Sequence, residues 1–410
     1  MARTLCQNND GFRDLNVLAG SLGLGGIPKS WHASWPNSLH ACPQADLNFL
    51  ELGYVDRINT WLHLSKDAYS TLAKAVSRIA KRSDLRLLAW HCHRLMFEEA
   101  IPEDFYSWPM PDAAVGELSP VFYAVALLPE VPKLAAKHGK RGIPAEVTVN
   151  TLKDIDLWLC NYKEKHGRKG LVELGWFSNH FAEKLYRLGR LQYEPQAFGG
   201  RIKVFRRISD GALTVFSEGG IRFSPDGEVD GTNGVFNPNA WESVFEQNKK
   251  TVRGNPIPGS GRASHEVIEI AAEEWALVLS AGDAILNIHI PADGKMDYTL
   301  CLESFSKALE FFPMYRPDVQ FKGFACHSWL LDPDLGRLLP ADSNIVRFQR
   351  EFYLYPVLGD DSQMFERVFG GKPADLSGAP GETLLQRVII NHLAGGGRMR
   401  TGAGFILPSL

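Results

Sequence analysis

The residues best suited to chemistry sit in two short apolar runs. In AILNIHI (Ala284 to Ile290), Ile285, Asn287 and His289 share one face of a strand, because side chains two apart point the same way. An amide and an imidazole thus face one direction inside an otherwise apolar element, where buried polar groups need partners. Imidazole suits proton transfer near neutral pH, which makes His289 a candidate general base; a hydrogen-bonded core histidine is the equal alternative. The second run, Phe324 to Leu330, puts Cys326 and Ser328 on one face and His327 and Trp329 on the other. Cys326 and Ser328 are the nucleophile-type residues, and with His289 they would imply a hydrolase. Ser328 lacks the GxSxG setting of a nucleophile elbow, and a free cysteine in an apolar strand is more often packing than chemistry.

Other groupings carry weaker chemistry. His91, Cys92 and His93 are metal-ligand types, but consecutive helical residues point in different directions and cannot easily share one ion. Gly395 to Gly397 and Gly402 to Gly404 lack the flanking strand and helix of a phosphate cradle and read as a flexible tail. Arg187 and Arg190 in RLGRLQ are cations that suit an anionic ligand, although an arginine on a helix face is more often solvated or paired.

The elements that must hold these residues are legible in the pattern. Leu72, Ala73, Val76 and Ile79 form a helical stripe in a mostly helical first part. Helical spacing continues from Thr151 to Leu191, divided at Gly167 and Gly170. From Arg201 the sequence changes to short strands cut by Asp210-Gly211, Gly219-Gly220 and Asp226-Gly227, the signature of an antiparallel meander. Val267, Ile268, Ala271, Trp275 and Val278 read as a helix closed by Gly282. Then Ala284 to Ile290, Asp297 to Phe312 and Val319 to Leu330 read as strand, helix and strand, a right-handed crossover with parallel strands. Ser343 caps a following helix through Phe348 and Phe352. The fold class is α/β. Residues 1–165 form a helical domain, 166–360 a mixed-sheet domain and 361–410 a Gly-rich extension with one helix near Thr383 to Leu393.

Composition narrows the partners. A chain of 410 residues exceeds one ordinary core. Lys plus Arg (44) nearly balances Asp plus Glu (47), which disfavours nucleic acid and anionic membrane surfaces. The six cysteines are scattered, as in a reduced cytoplasmic protein. The first ten residues show no signal-peptide core, and the longest apolar run, Val121 to Leu128, is too short for a membrane span.

Five segments together resemble the two-domain GNAT-like acyltransferases, in which an N-terminal acyltransferase domain precedes a GNAT-like C-terminal domain. They are GIPAEVTVNTLKDIDLWL (from Gly142), ELGWFSNHFAEKLYRLGRLQYE (from Glu173), AILNIHIPADG (from Ala284), CLESFSKALEFF (from Cys301) and FACHSWLLDPDLGRLLPADSNIVRFQREF (from Phe324). The resemblance implies two parallel strands that splay, with acyl-CoA as co-substrate in the gap and its pyrophosphate over the loop Pro291 to Asp297. On that reading Asn287, Gly294 and Lys295 hold the cofactor, and Trp329, Asn344, Arg187 and Arg190 meet the substrate. His289 would act as base, a backbone amide would hold the oxyanion, and no metal is required. No tyrosine lies on the helix after the second strand to serve as acid; Tyr353 and Tyr355 lie just beyond it. The loop also departs from the better-known pattern of Gln or Arg, two residues, Gly, one residue, then Gly or Ala. Its nearest look-alike, MRTGAG from Met399, has no helix after it.

Three functions follow in order. The first is acyl transfer from acyl-CoA to an amine of a small molecule. The second is a GNAT-shaped binding or regulatory module without catalysis, motivated by the missing glycines. The third is the hydrolase using Cys326 or Ser328. Acceptor, chain length and oligomeric state stay open.

Overall fold

Caps and apolar spacing set the helices of the first part of the chain. In this computed structural model, which describes residues 12–42, 47–98 and 102–408 and so leaves Cys6 outside, α1 (Lys66–Ala80) starts where the Ser65 hydroxyl accepts from the Ala68 amide at 3.2 Å. Leu72, Val76 and Ile79 are fully buried along its stripe, each contributing roughly 1.5–3 kcal/mol of apolar burial. On α2 (Ser83–Phe97) the His91-Cys92-His93 run is buried. His91 Nδ1 lies 2.7 Å from Ser38 Oγ, with Trp31 and Trp35 edge-on to the ring, while His93 Nδ1 lies 3.0 Å from the Ala126 carbonyl. Burial drives the His91 pKa down to about 3 and that of His93 to about 4, so both are neutral packing elements. Among the described residues no cluster of three or more His, Cys, Asp or Glu side chains could hold a metal ion. One stretch, Asp112–Lys140, is long and apolar enough to cross a membrane, but 78% of its most apolar window is buried inside the protein, as in a core helix.

The chain separates into two units, Met1–Leu188 and Gly189–Leu410, so the division falls after Leu188 and not at residue 165. Two helices explain the shift. α3 (Asp154–His166) ends at Gly167, whose φ of 70° closes the helix, and α4 (Leu174–Phe181) buries Leu174, Phe177 and Phe181 in the core of the first unit. The helical pattern read through to Leu191 stops here. Tyr186–Leu188 is a strand with Tyr186 and Leu188 buried and Arg187 between them, and the Arg187 amide donates to Thr151 Oγ1 at 2.9 Å.

In the second unit β1 (Leu191–Ala197) is followed by a hairpin of β2 (Ile202–Arg207) and β3 (Leu213–Ser217), which turns at Asp210-Gly211 with φ 76° at the glycine. The segment expected as a helix after Arg262 is instead two strands, Ile268–Ala271 and β4 (Trp275–Ser280), the latter pairing with β2. Ile268, Ala271, Trp275 and Val278 fall three and four apart, as on a helix, because two short strands meet across the turn Ala272–Glu274. A β-bulge between Leu277 and Leu279 then shifts the alternation of β4, so that Trp275 packs with Phe205 on one face and Leu279 with Val204 on the other.

β5 (Ala284–His289), α5 (Tyr298–Tyr315) and β6 (Phe324–Ser328) follow in the expected order, and β5 and β6 pair in parallel. α5 buries Cys301, Phe305, Ala308 and Phe312 as its periodicity implies, while Leu309 is 41% exposed. α6 (Asn344–Arg350) begins at Ser343, whose Oγ accepts from the Val346 amide at 3.4 Å, and leads to β7 (Tyr353–Tyr355). Beyond α7 (Leu384–Ala394) the Gly-rich tail corrects the reading of a flexible extension. Gly402–Ile406 forms β8, inserted between β6 and β7, and the sheet of this unit runs β1-β5-β6-β8-β7. Its glycines serve close approach. A Cβ on Gly402 would sit 2.1 Å from the Leu331 carbonyl oxygen, and one on Gly404 would sit 2.7 Å from Phe352 Cβ. α5 covers one face of this sheet, through Phe305 against Phe324 and Ser304 against Tyr193. Ile202, Val204 and Val215 of the smaller sheet pack with Ile285, Ala325 and Phe405 on the other face.

Candidate active site

The parallel ladder between β5 and β6 is short. It pairs Leu286 with Phe324, Asn287 with Ala325 and Ile288 with Cys326, and stops. Past that point β5 remains bonded to β1 through His289 and Gln192, while β6 remains bonded to β8 through Ser328 and Gly402. The two strands are thus held on their outer sides but no longer paired with each other at their carboxyl ends, the place where ligands collect in α/β sheets.

His289 is the last residue of β5, just past the end of this ladder. Its partner comes from β1. Asn287 is paired with Glu194, so Glu194, Asn287 and His289 share a face, and the Glu194 carboxylate lies 2.9 Å from His289 Nε2. Both side chains are only partly exposed, His289 at 30% and Glu194 at 17%. A carboxylate can only accept, so Nε2 carries the proton and the basic lone pair of the ring is on Nδ1. Asn287 Nδ2 stands 3.1 Å from the same Nε2. Two donors cannot satisfy each other, so the arrangement is consistent when the amide is turned to present its oxygen, the two orientations being interchangeable in shape. Asn287 then braces the imidazole.

Cys326 and Ser328 lie elsewhere. Ile288 and Cys326 are register partners, so Cys326 projects to the α5 side, opposite His289, and Ser328 follows by alternation. Burial pushes the Cys326 thiol up to about 12. The Ser328 hydroxyl accepts from the Leu330 amide at 3.2 Å and caps the short turn Trp329–Leu331. Neither is an activated nucleophile, and neither reaches His289 across the sheet. Trp329 is packed with Leu335, Val346, Met364 and Ile389, its amide donating to Gln363 Oε1 at 2.9 Å; it is core. Asn344 is the exposed first residue of α6, beside the Ser343 cap. Arg187 lies on the closing strand of the first unit.

The loop from β5 to α5 is built differently from the expectation. Arg190, which the sequence reading set near an anionic ligand on a helix, is not helical and is 9% exposed. Its guanidinium donates to three carbonyls of this loop, to Pro291 at 2.9 Å from Nη1, to Gly294 at 2.8 Å from Nη2 and to Lys295 at 3.2 Å from Nε. Gly294 and Lys295 are themselves exposed. Asp297 caps α5, its carboxylate accepting from the Leu300 amide at 3.0 Å.

Helical spacing read through to Leu191 hides the strand that begins there and carries Glu194. As a strand, the same residues alternate, with Leu191 and Tyr193 on one face and Gln192 and Glu194 on the other, and that alternation was the available signal.

Known proteins share this organisation. The family model described as the N-acyltransferase N-terminal domain matches residues 54–182, and that of the GNAT-like C-terminal domain matches residues 185–406. Among solved structures, an acyltransferase in complex with decanoyl-CoA and teicoplanin superposes with a TM-score of 0.62 at 20% identity, covering 96% of this chain and 100% of that one. An acyltransferase in complex with CoA and 10C-teicoplanin gives 0.63 at 20% identity with the same coverage, and one in complex with decanoyl-CoA gives 0.60 at 18%. No curated protein matches the sequence. The GNAT-like model alone spans more than half of the chain and the N-acyltransferase model precedes it without overlap, so the chain belongs to the two-domain acyltransferase family that joins these domains.

Proposed function

We propose that the protein transfers an acyl group from acyl-CoA to an amine of a small molecule, at the carboxyl ends of β5 and β6. The observation that carries this reading is the end of the parallel ladder after Ile288 and Cys326, with His289 just past it. A thioester lying there presents its carbonyl to backbone amides along the edges no longer paired, which polarise it without any particular side chain. The amine nitrogen attacks the carbonyl carbon, the C–S bond breaks, and CoA leaves as a thiol after taking up a proton. His289 accepts the proton the amine loses, at Nδ1 or through water, and the Glu194 carboxylate stabilises the imidazolium so formed. The structurally similar acyltransferases bound to decanoyl-CoA support the choice of donor. No disulfide joins the five described cysteines, which supports a reducing, cytoplasmic setting as part of the proposal.

A second reading, a GNAT-shaped binding or regulatory module, is favoured by one observation: the start of α5 carries Asp297 as its cap and no glycine-rich run. Calorimetric titration with acetyl-, octanoyl- and decanoyl-CoA, followed by release of CoA thiol in the presence of an amine panel, separates the two. Binding with amine-dependent thiol release is expected. Binding without turnover supports the module, and no binding of any acyl-CoA removes acyl transfer altogether.

A further inference from the structure

The sequence poses a problem that the second unit answers. Phosphate-binding loops usually rely on glycines so that successive backbone amides can turn toward an anion. Pro291 to Asp297 has one glycine, Gly294. Yet three of its carbonyls, on Pro291, Gly294 and Lys295, converge on the single guanidinium of Arg190. There are no cis peptides among the described residues, so each of these planar units directs its N–H opposite to its C=O. The amides of Ala292, Lys295 and Met296 therefore face away from the guanidinium. None of the three donates to another group among the described residues. Those of Lys295 and Met296 are consecutive, on a stretch that also carries the exposed Lys295 ammonium and leads into the first turn of α5.

We propose that Arg190 is a positioning residue for the acyl donor: by drawing the loop carbonyls inward it holds the amides of Lys295 and Met296 outward, where they receive the pyrophosphate of acyl-CoA, in place of the glycines this loop lacks. The inference rests on the acyl-CoA reading above. Geometry favours arginine in the role. Its planar fork presents five N–H donors with fixed spacing and reaches three loop carbonyls at once, whereas lysine offers a compact ammonium without that spread. The turn that delivers Arg190 is set by Gly189, at φ 79°.

The test compares two donors, decanoyl-CoA and S-decanoyl-pantetheine, which share the thioester and acyl chain but differ in the pyrophosphate. Dissociation constants are measured by calorimetry on the full chain for wild type, Arg190→Lys and Arg190→Ala, with thermal melts to confirm folding. The expected result is a loss of at least tenfold in decanoyl-CoA affinity in both variants, with pantetheine thioester binding changed by less than about threefold. Equal losses for both donors show a general structural role and overturn the proposal, as does unchanged decanoyl-CoA binding. If only Arg190→Ala unfolds, Arg190→Lys decides. The acyl chain of both donors is matched to whichever of acetyl-, octanoyl- and decanoyl-CoA wild type binds; binding of none of them defeats the acyl-CoA reading itself, and this inference with it, whereas tight wild-type binding with unaffected variants defeats the inference alone.

Discussion

His289 gains its chemical character from Glu194. A carboxylate 2.9 Å from Nε2 sets the tautomer and stabilises the protonated ring, which an isolated strand-end histidine would lack. Replacing His289 by alanine is expected to lower acyl transfer at least tenfold while leaving acyl-CoA affinity within about twofold, because the ring acts on the amine proton and not on donor binding. Glu194→Gln keeps the shape and removes the charge; its loss in rate should be smaller than that of His289→Ala, and the double variant should be no slower than His289→Ala alone. Steady-state rates of the three variants check this, and additive losses would show that the two residues do not work as a pair. Cys326→Ser, by contrast, should leave the rate unchanged, since that thiol faces α5 and burial holds its pKa at about 12.

At the scale of elements, the last strand is the most instructive. β8 completes the sheet only because Gly402 and Gly404 let its backbone press against Leu331 and Phe352. Any Cβ at Gly402 meets a carbonyl oxygen at 2.1 Å, an obstacle that belongs to the backbone and cannot rotate aside. Gly402→Ala should therefore destabilise the second unit by about 1–3 kcal/mol, the usual range for overpacking, whereas Gly378→Ala, with open space around it, should change stability by less than about 0.5 kcal/mol. Thermal melts of the two variants against wild type decide the matter, and similar melting temperatures for both would contradict the steric account. The strand is also tied down by ionic contacts. The Arg400 amide donates to Asp332 Oδ2 at 2.8 Å, and its guanidinium reaches Glu228 at 2.8 Å and Asp334 at 3.2 Å.

For the whole molecule, the two units carry buried groups whose titration acts in opposite directions. His91 and His93 in the first unit have folded pKa values of about 3 and about 4 because of burial, below the roughly 6.5 of an unfolded histidine. The unfolded chain takes up those protons first, so their contribution to stability is present above about pH 6.5 and is lost as pH falls through about 4 for His93 and about 3 for His91. Asp332 in the second unit is raised to about 6, chiefly by burial and against the pull of Arg400, compared with roughly 3.9 unfolded. There the unfolded chain releases its proton first, so stability falls as pH rises from about 4 to about 6, by up to about 3 kcal/mol for a shift of this size. Hydrogen exchange followed separately over each unit at pH 5 and 7 should show the first unit better protected at pH 7. Asp332→Asn should remove the opposing component from the second unit and leave the trend of the first intact; identical pH profiles in wild type and variant would rule Asp332 out as its source. What the sequence by itself determined was whatever depends on local period and capping: the α1 stripe, the Ser343 cap, the hairpin at Asp210-Gly211 and the strand-helix-strand order that brings Asn287 and His289 to one face. Tertiary structure alone decided the rest, because those features depend on partners distant in the chain. The bulge in β4 is defined only against β2, the glycines of β8 are explained only by Leu331 and Phe352, and Arg190 finds its carbonyls in Pro291, Gly294 and Lys295. Glu194 likewise becomes the partner of His289 only when β1 lies antiparallel beside β5, a pairing that no local spacing records.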